Sequence, residues 1–213
     1  MDFLIDQDIG AIVFRVLILV FSVVIHEVSH GAVAYVLGDP TAKDAGRLTL
    51  NPLPHIDFIG SIVLPIFIGI GWAKPVPYNP LYLRNQRWGP FLVGVAGPAS
   101  NIVVALFFGL MIRFRDIATL SFLDATFFGI ATGIVFLNLA LAIFNMIPIP
   151  PLDGSKVLFL LLPRGWMYVV ALLEQYGILL ILFLFLLVPH FFSSIIIRPV
   201  MLLFGLITGS GFY

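Results

Sequence analysis

Residues 9 to 37 form an apolar stretch long enough to cross a bilayer as a helix, and within it stands the run His26-Glu27-Val28-Ser29-His30. Two imidazoles and a carboxylate are costly in hydrocarbon, so their presence there needs a reason. The spacing supplies one. Residues four apart share a helix face, so both rings can grip one cation, the arrangement that binds zinc. Glu27 falls on a neighbouring part of the surface, free to act as acid or base on water activated by the metal. The run points to hydrolysis carried out within or near a membrane.

The rest of the chain agrees with a membrane setting. Of its 213 residues, 61% are hydrophobic and only 10% charged, and the mean hydropathy is +1.11. So few charges cannot cover a soluble domain. The reading is an all-α polytopic membrane protein in which residues 1–213 make one membrane-embedded domain. Formal net charge is 0, and no basic run or basic-aromatic stripe suits nucleic acid, which excludes that partner. With no cysteine, disulfides and thiolate ligands are excluded too, leaving His, Asp and Glu for a metal. Asp2, Asp6 and Asp8 precede the first basic residue, Arg15, the reverse of a cleaved signal's basic start, so the first apolar segment reads as a permanent span.

Apolar runs and their Gly/Pro punctuation predict about five transmembrane helices: 9 to 37, 89 to 112, 125 to 147, 167 to 188 and about 191 to 209. Arg198-Pro199 predicts a kink or partial insertion of the last. The catalytic core covers about 9–162 and the C-terminal helices about 167–209. Ala42 to Leu50 mixes polar and apolar residues in a way that suggests a short β-hairpin after the first helix. Residues 58 to 71 are apolar but contain Gly60, Pro65, Gly69 and Gly71. As a helix they reach about 21 Å against a core of about 30 Å, so a re-entrant or half-inserted segment is expected, covered by protein or lining a cavity. That choice also sets parity: with 58–71 re-entrant, the end of the 125–147 span lies on the same side as His30. Placing that side in the cytoplasm puts Lys43, Arg47, Lys74, Arg84, Arg87, Lys156 and Arg164 inside and Arg113 and Arg115 outside, as the positive-inside bias requires.

Zinc with one open position needs a third protein ligand. Asp153 follows Pro148, Pro150 and Pro151 and precedes Gly154, so it sits on unwound chain that can swing toward a facing helix. It can equally cap a helix starting near Ser155; the parity argument favours the ligand. His55 can be a rival ligand or a partner of one, but an interfacial loop histidine is the favoured reading, and Asp57 fits a supporting role as well. His190 falls between late spans, on the other face. Glu174 can pair with Arg164 or Lys156, and Arg15 can snorkel. Gly94, Gly97, Ala99, Gly129 and Gly133 offer small surfaces for helix packing, and Trp72, Trp88 and Trp166 flank spans as interfacial anchors.

Together, His26-Glu27-Val28-Ser29-His30 and the later Pro150-Pro151-Leu152-Asp153-Gly154 resemble the site-2 protease family (M50) of intramembrane zinc metalloproteases. Gly46-Arg47-Leu48-Thr49-Leu50-Asn51-Pro52, Gly71-Trp72-Ala73-Lys74-Pro75-Val76-Pro77 and Ala96-Gly97-Pro98-Ala99-Ser100-Asn101 extend the similarity to its compact bacterial and archaeal branch, over residues 20 to 162. The resemblance implies that His26, His30 and Asp153 hold one zinc ion, that Glu27 is the catalytic acid/base, and that Asn145 helps hold substrate or polarise its carbonyl. It implies peptide-bond hydrolysis within or near the spans of single-span membrane proteins, in a prokaryotic inner membrane, from a site opening to the cytoplasm. It leaves the oligomeric state open. No PDZ-like or CBS-like regulatory region is present, and the metal-binding helix is the first span, where some relatives have one before it. Two rival functions fit less well. A proton- or metal-coupled transporter leaves the glutamate beside the first histidine without a role, and an inactive helix-binding homologue has no need to keep Glu27.

Overall fold

The computed structural model describes residues 9–57, 73–116, 125–163, 166–187 and 193–210. Seven α-helices lie among them: α1 (Ile9–Val36), α2 (Thr41–Asp44), α3 (Gly89–Arg113), α4 (Ala125–Asn145), α5 (Gly154–Leu161), α6 (Met167–Leu187) and α7 (Arg198–Thr208). The first three expected spans coincide with α1, α3 and α4 within a few residues, because Gly and Pro mark their ends, and helices α6 and α7 lie within the other two expected stretches. The segment 58–71, Trp72, Arg164 and His190 lie outside the described residues.

α1, α3 and α4 are long and apolar enough to cross a membrane. Only 28–33% of their apolar windows are buried within the protein, and Val13, Leu17, Phe21, Val103, Phe107 and Leu110 are exposed. In water such surfaces would be a liability; in hydrocarbon they are at home. This is an integral membrane protein.

α3 is the central element, packed against α1, α4, α5 and α7. Small residues make that possible. A methyl group on Gly109 would come 2.3 Å from Ile207 Cγ2, so α7 can lie this close only to a bare backbone. Ala105, Val135, Leu139, Val200 and Phe204 form the buried cluster joining α3, α4 and α7. Ala34, Leu83 and Val93 form a second, nearer the His30 end of α1.

α1 stops where its sequence says. Gly38 takes φ 109°, Gly38 N–H donates to Tyr35 O and Asp39 N–H to Ala34 O, the paired bonds of a Schellman cap. Asp39 then redirects the chain. Its carboxylate is buried and accepts from the Thr41 N–H, the Thr41 hydroxyl and the Asn79 N–H. Burial pushes this carboxyl up, but those donors outweigh it and hold it below the usual carboxylate range.

The expected hairpin at Ala42–Leu50 is not formed, and no strand occurs among the described residues. Thr41–Asp44 closes one helical turn beneath the Asp39 side chain, and Gly46, at φ 65°, ends it. Local side-chain capping wins over the weak alternation of the segment. At the other end of the chain, Ser193–Ile197 is π-helical before α7. Pro199 lacks the N–H that would continue the regular ladder, and the turn widens there.

Candidate metal centre

His26 and His30 project from one face of α1, both buried, their rings edge-to-face with centroids 4.7 Å apart. The carboxylate of Asp153 meets both. Its Oδ2 lies 3.0 Å from His26 Nε2 and 3.2 Å from His30 Nε2. Ligand atoms about 2.0–2.2 Å from a tetrahedral zinc sit about 3.3–3.6 Å from one another, close to the spacing found. These three side chains are the group of His, Cys, Asp and Glu that could hold a metal ion among the described residues.

Asp153 reaches this position because the chain after α4 is broken by Pro148, Pro150 and Pro151 and folds back on itself. A Cβ on Gly154 would lie 2.2 Å from Met146 O, so only glycine lets the two arms of the loop close. Asp153 does occupy the position before α5, but its side chain makes no capping hydrogen bond. The carboxylate is turned to the histidines instead.

α3 completes the cradle with backbone. A Cβ on Gly97 would stand 2.4 Å from His30 Nε2 and 2.5 Å from His26 Nε2, filling the space the two nitrogens face. The far ring nitrogens are both engaged: His26 Nδ1 with Asn101 Oδ1 at 2.5 Å and His30 Nδ1 with the Val93 carbonyl at 2.6 Å. A carbonyl oxygen only accepts, so His30 carries a proton on Nδ1, and its Nε2 faces Asp153 and Gly97. Two imidazole nitrogens, one carboxylate and a bare glycine wall suit zinc with a position left open.

Glu27, one residue round the helix from His26, is held from the other side. Its Oε2 accepts from the Val76 N–H at 2.8 Å. Val76 lies between Pro75 and Pro77, neither of which has an N–H to offer. A Cβ on Gly31 would lie 2.8 Å from Val76 Cγ1, so glycine on α1 lets this extended strap lie against the helix. The strap is tied at both ends: Lys74 N–H donates to His55 O, Arg47 Nη2 to Lys74 O at 2.7 Å, and Asn79 N–H to Asp39. His55 is therefore a buried loop residue, its Nε2 3.0 Å from Thr49 O, and not a member of the metal group.

Asn145 lies at the end of α4, where its Nδ2 donates to Leu141 O at 3.0 Å. Glu174 lines a cavity of about 820 Å³ with Lys156, Arg87, Gln86 and Tyr78. Burial first, then the carboxylates of Glu174, Asp153 and Asp39, push the Tyr78 phenol up.

Gly97 and Asn101 carry more of the site than packing required, and Val93 and Val76 contribute only backbone groups. The signal for Asn101 was available: a polar amide inside an apolar span is costly without a partner. Nothing in the residue types marks the Val93 carbonyl or the Val76 N–H.

Residues 112–188 match the profile of peptidase family M50. YwhC of Bacillus subtilis, whose name marks it as a candidate zinc metalloprotease, is 38% identical over 191 residues, covering 87% of this chain and 85% of its own. Rip2 of Mycolicibacterium smegmatis, named in the same way, is 33% identical over 76% of this chain and 62% of its own. MJ0611 of Methanocaldococcus jannaschii, also so named, is 43% identical over 78 residues, 36% of each chain. No solved structure matches the chain.

Proposed function

The chain belongs to peptidase family M50, the site-2 protease family of zinc metalloproteases, and on that footing we propose that it hydrolyses peptide bonds within or next to the spans of single-span membrane proteins, in regulated intramembrane proteolysis. The single observation that carries this reading is the meeting of Asp153 with His26 and His30 of α1, a helix long and apolar enough to cross a membrane, on which Glu27 adjoins His26.

In this reading His26 Nε2, His30 Nε2 and Asp153 hold the zinc ion. The bound ion supplies a Lewis acid that polarises a carbonyl and brings water toward ionisation at neutral pH. Glu27 does the proton work. It takes a proton from the attacking water and hands it to the departing amide nitrogen, so that one carboxylate serves as base and then as acid. The Val76 N–H keeps that carboxylate in place through both transfers. Asn145 is assigned to substrate, gripping the backbone or carbonyl of the segment being cut. That segment unwinds before it is cut, because a helical carbonyl is already hydrogen-bonded and shielded. Water enters through the polar loops on the cytoplasmic side.

The membrane layout proposed is five spans, with α6 and the segment ending in α7 added to α1, α3 and α4. The whole of 1–213 acts as one domain in a prokaryotic inner membrane. The metal end faces the cytoplasm. Clustering of Lys43, Arg47, Lys74, Arg84 and Arg87 around the end of α1 supports that orientation, as does Arg113, which donates to Leu206 O at the opposite end. Single cysteines at positions 75 and 85, in a chain with none of its own, react with an impermeant thiol reagent from the cytoplasmic side in inside-out vesicles. Labelling only from the outer side reverses the orientation.

The activity is tested with purified protein reconstituted beside a single-span reporter. Cleavage maps to the span or its edge, stops when a chelator strips the metal, and returns with added zinc. Cleavage that persists in the stripped protein, or that is confined to soluble peptides, rejects the proposal.

A further inference from the structure

Behind His26, away from the metal group, three buried polar side chains from three helices form a chain. Asn101 of α3 and Asn138 of α4 are fully buried, and Ser22 of α1 is 4% exposed. Asn101 Nδ2 donates to Asn138 Oδ1 at 2.8 Å and to the Ser22 carbonyl at 3.4 Å. Asn138 Nδ2 donates to Ser22 Oγ at 2.9 Å and to the Ile134 carbonyl at 2.9 Å. Asn101 Oδ1 closes the chain on His26 Nδ1.

The chain has a direction, and backbone sets it. The carbonyls of Ile134 and Ser22 accept and never donate, so the nitrogen of each amide must face them. Asn138 must then present its oxygen to Asn101, and Asn101 its oxygen to His26. An acceptor at that place holds a proton on His26 Nδ1 and leaves Nε2 to face Asp153 Oδ2, 3.0 Å away, and Gly97. Turning either amide over sets nitrogen against a donor and oxygen against a carbonyl, and buried polar groups left in that state cost about 1–3 kcal/mol each.

We infer that Asn101 and Asn138 are positioning residues that dictate, from α4 through α3, which nitrogen of His26 is available to a metal. The inference rests on the reading of His26 as a ligand. It assigns a role to Asn138, which touches neither His26 nor the metal group. Polar side chains that only glue helices together satisfy one another in either sense; here the sense is fixed by two carbonyls, and its output is one histidine tautomer. The neutral amide does for His26 what a backbone carbonyl does for His30, without adding a second negative charge behind the site.

The test uses full-length, metal-free protein labelled with 15N-histidine at pH 8, where imidazole nitrogen shifts distinguish the two tautomers, with His26 assigned from a His26→Gln spectrum. Zinc affinity is measured alongside by competition with a chelator. The wild type shows His26 protonated on Nδ1. Asn138→Leu leaves only the 3.4 Å contact with the Ser22 carbonyl to orient the Asn101 amide, so the form protonated on Nε2 alone gains population and zinc affinity falls about 10- to 100-fold. Asn138→Asp rescues both. A carboxyl buried there takes its neutral form, donates its O–H to Ile134 and still offers only an oxygen to Asn101. A wild-type His26 without a proton on Nδ1 overturns the inference without recourse to any variant. An Asn138→Leu protein with unchanged tautomer and unchanged zinc affinity overturns it too, as does a folded Asn138→Asp protein that recovers neither. Wild-type protein with the expected tautomer but no zinc binding counts against the metal reading and leaves the chain of amides standing.

Discussion

Gly97→Ala strips the protein of zinc while leaving its helices in place. The added methyl would lie 2.4 and 2.5 Å from the two metal-facing nitrogens, inside the distance at which atoms can coexist without movement. Neither ring can retreat. His26 is held from behind by Asn101 and His30 by the Val93 carbonyl, and each ring would have to break a buried hydrogen bond to make room. The methyl also occupies the space the two nitrogens share, which the ion would need. Alanine is a better helix former than glycine, by about 0.8–1.0 kcal/mol, and α3 itself gains from the change. The expected result is zinc content falling from one per chain to near none, with helicity and detergent-solubilised size unchanged and cleavage of a membrane reporter gone. Gly129→Ala and Gly133→Ala are the matched controls, since nothing lies within 4 Å of a methyl at either; both keep zinc and activity. A Gly97→Ala protein with a full complement of zinc would mean that the ion does not sit between these nitrogens and α3.

The sequence made the parts of this centre that depend on periodicity easy to read. His26, Glu27 and His30 are legible because four-residue spacing on a helix dictates a shared face. The spans are legible because lipid demands long apolar runs and Gly or Pro ends them. Asp153 was half legible. The prolines before it announce unwound chain, but whether its carboxylate caps α5 or turns to α1 depends on a loop closure through Gly154 that spacing does not encode. Gly97 was read as a packing residue, and it is one; what it packs against is the pair of imidazoles, and that follows only from the approach of α3 to α1. The expected hairpin failed for the opposite reason, a local one: the Asp39 side chain captures the Thr41 N–H and hydroxyl and commits the chain to a turn. The backbone contributions, Val93 O and Val76 N–H, leave no trace in residue type. The prolines on either side of Val76 give at most an indirect mark, since they leave it as the donor between two residues that have none.

That donor leads to a graded prediction about Glu27. Glu27→Gln keeps its zinc, because the residue is not among the three that converge on the metal position, and it loses cleavage altogether, since an amide cannot carry the proton from water to the leaving nitrogen. Val76→Pro is the subtler change. It deletes one hydrogen atom from the strap and leaves the carboxylate itself intact. The backbone tolerates it, because a residue before proline is already held in the extended region, where proline is at ease. What is lost is a hydrogen bond to a charged group, worth about 1.5–3 kcal/mol, which in the transition state corresponds to roughly a 10- to 100-fold fall in kcat. Because Val76 is buried against Gly31, Val76→Ala is needed beside it; that variant trims the packing but keeps the N–H, and its kcat stays near wild type. The order expected is therefore wild type and Val76→Ala together, Val76→Pro well below them, and Glu27→Gln at background, all four with equal zinc. Equal kcat for the proline and alanine variants would show that the Val76 N–H does not position the carboxylate during turnover. Full activity in Glu27→Gln would remove the proton carrier on which the proposed chemistry depends.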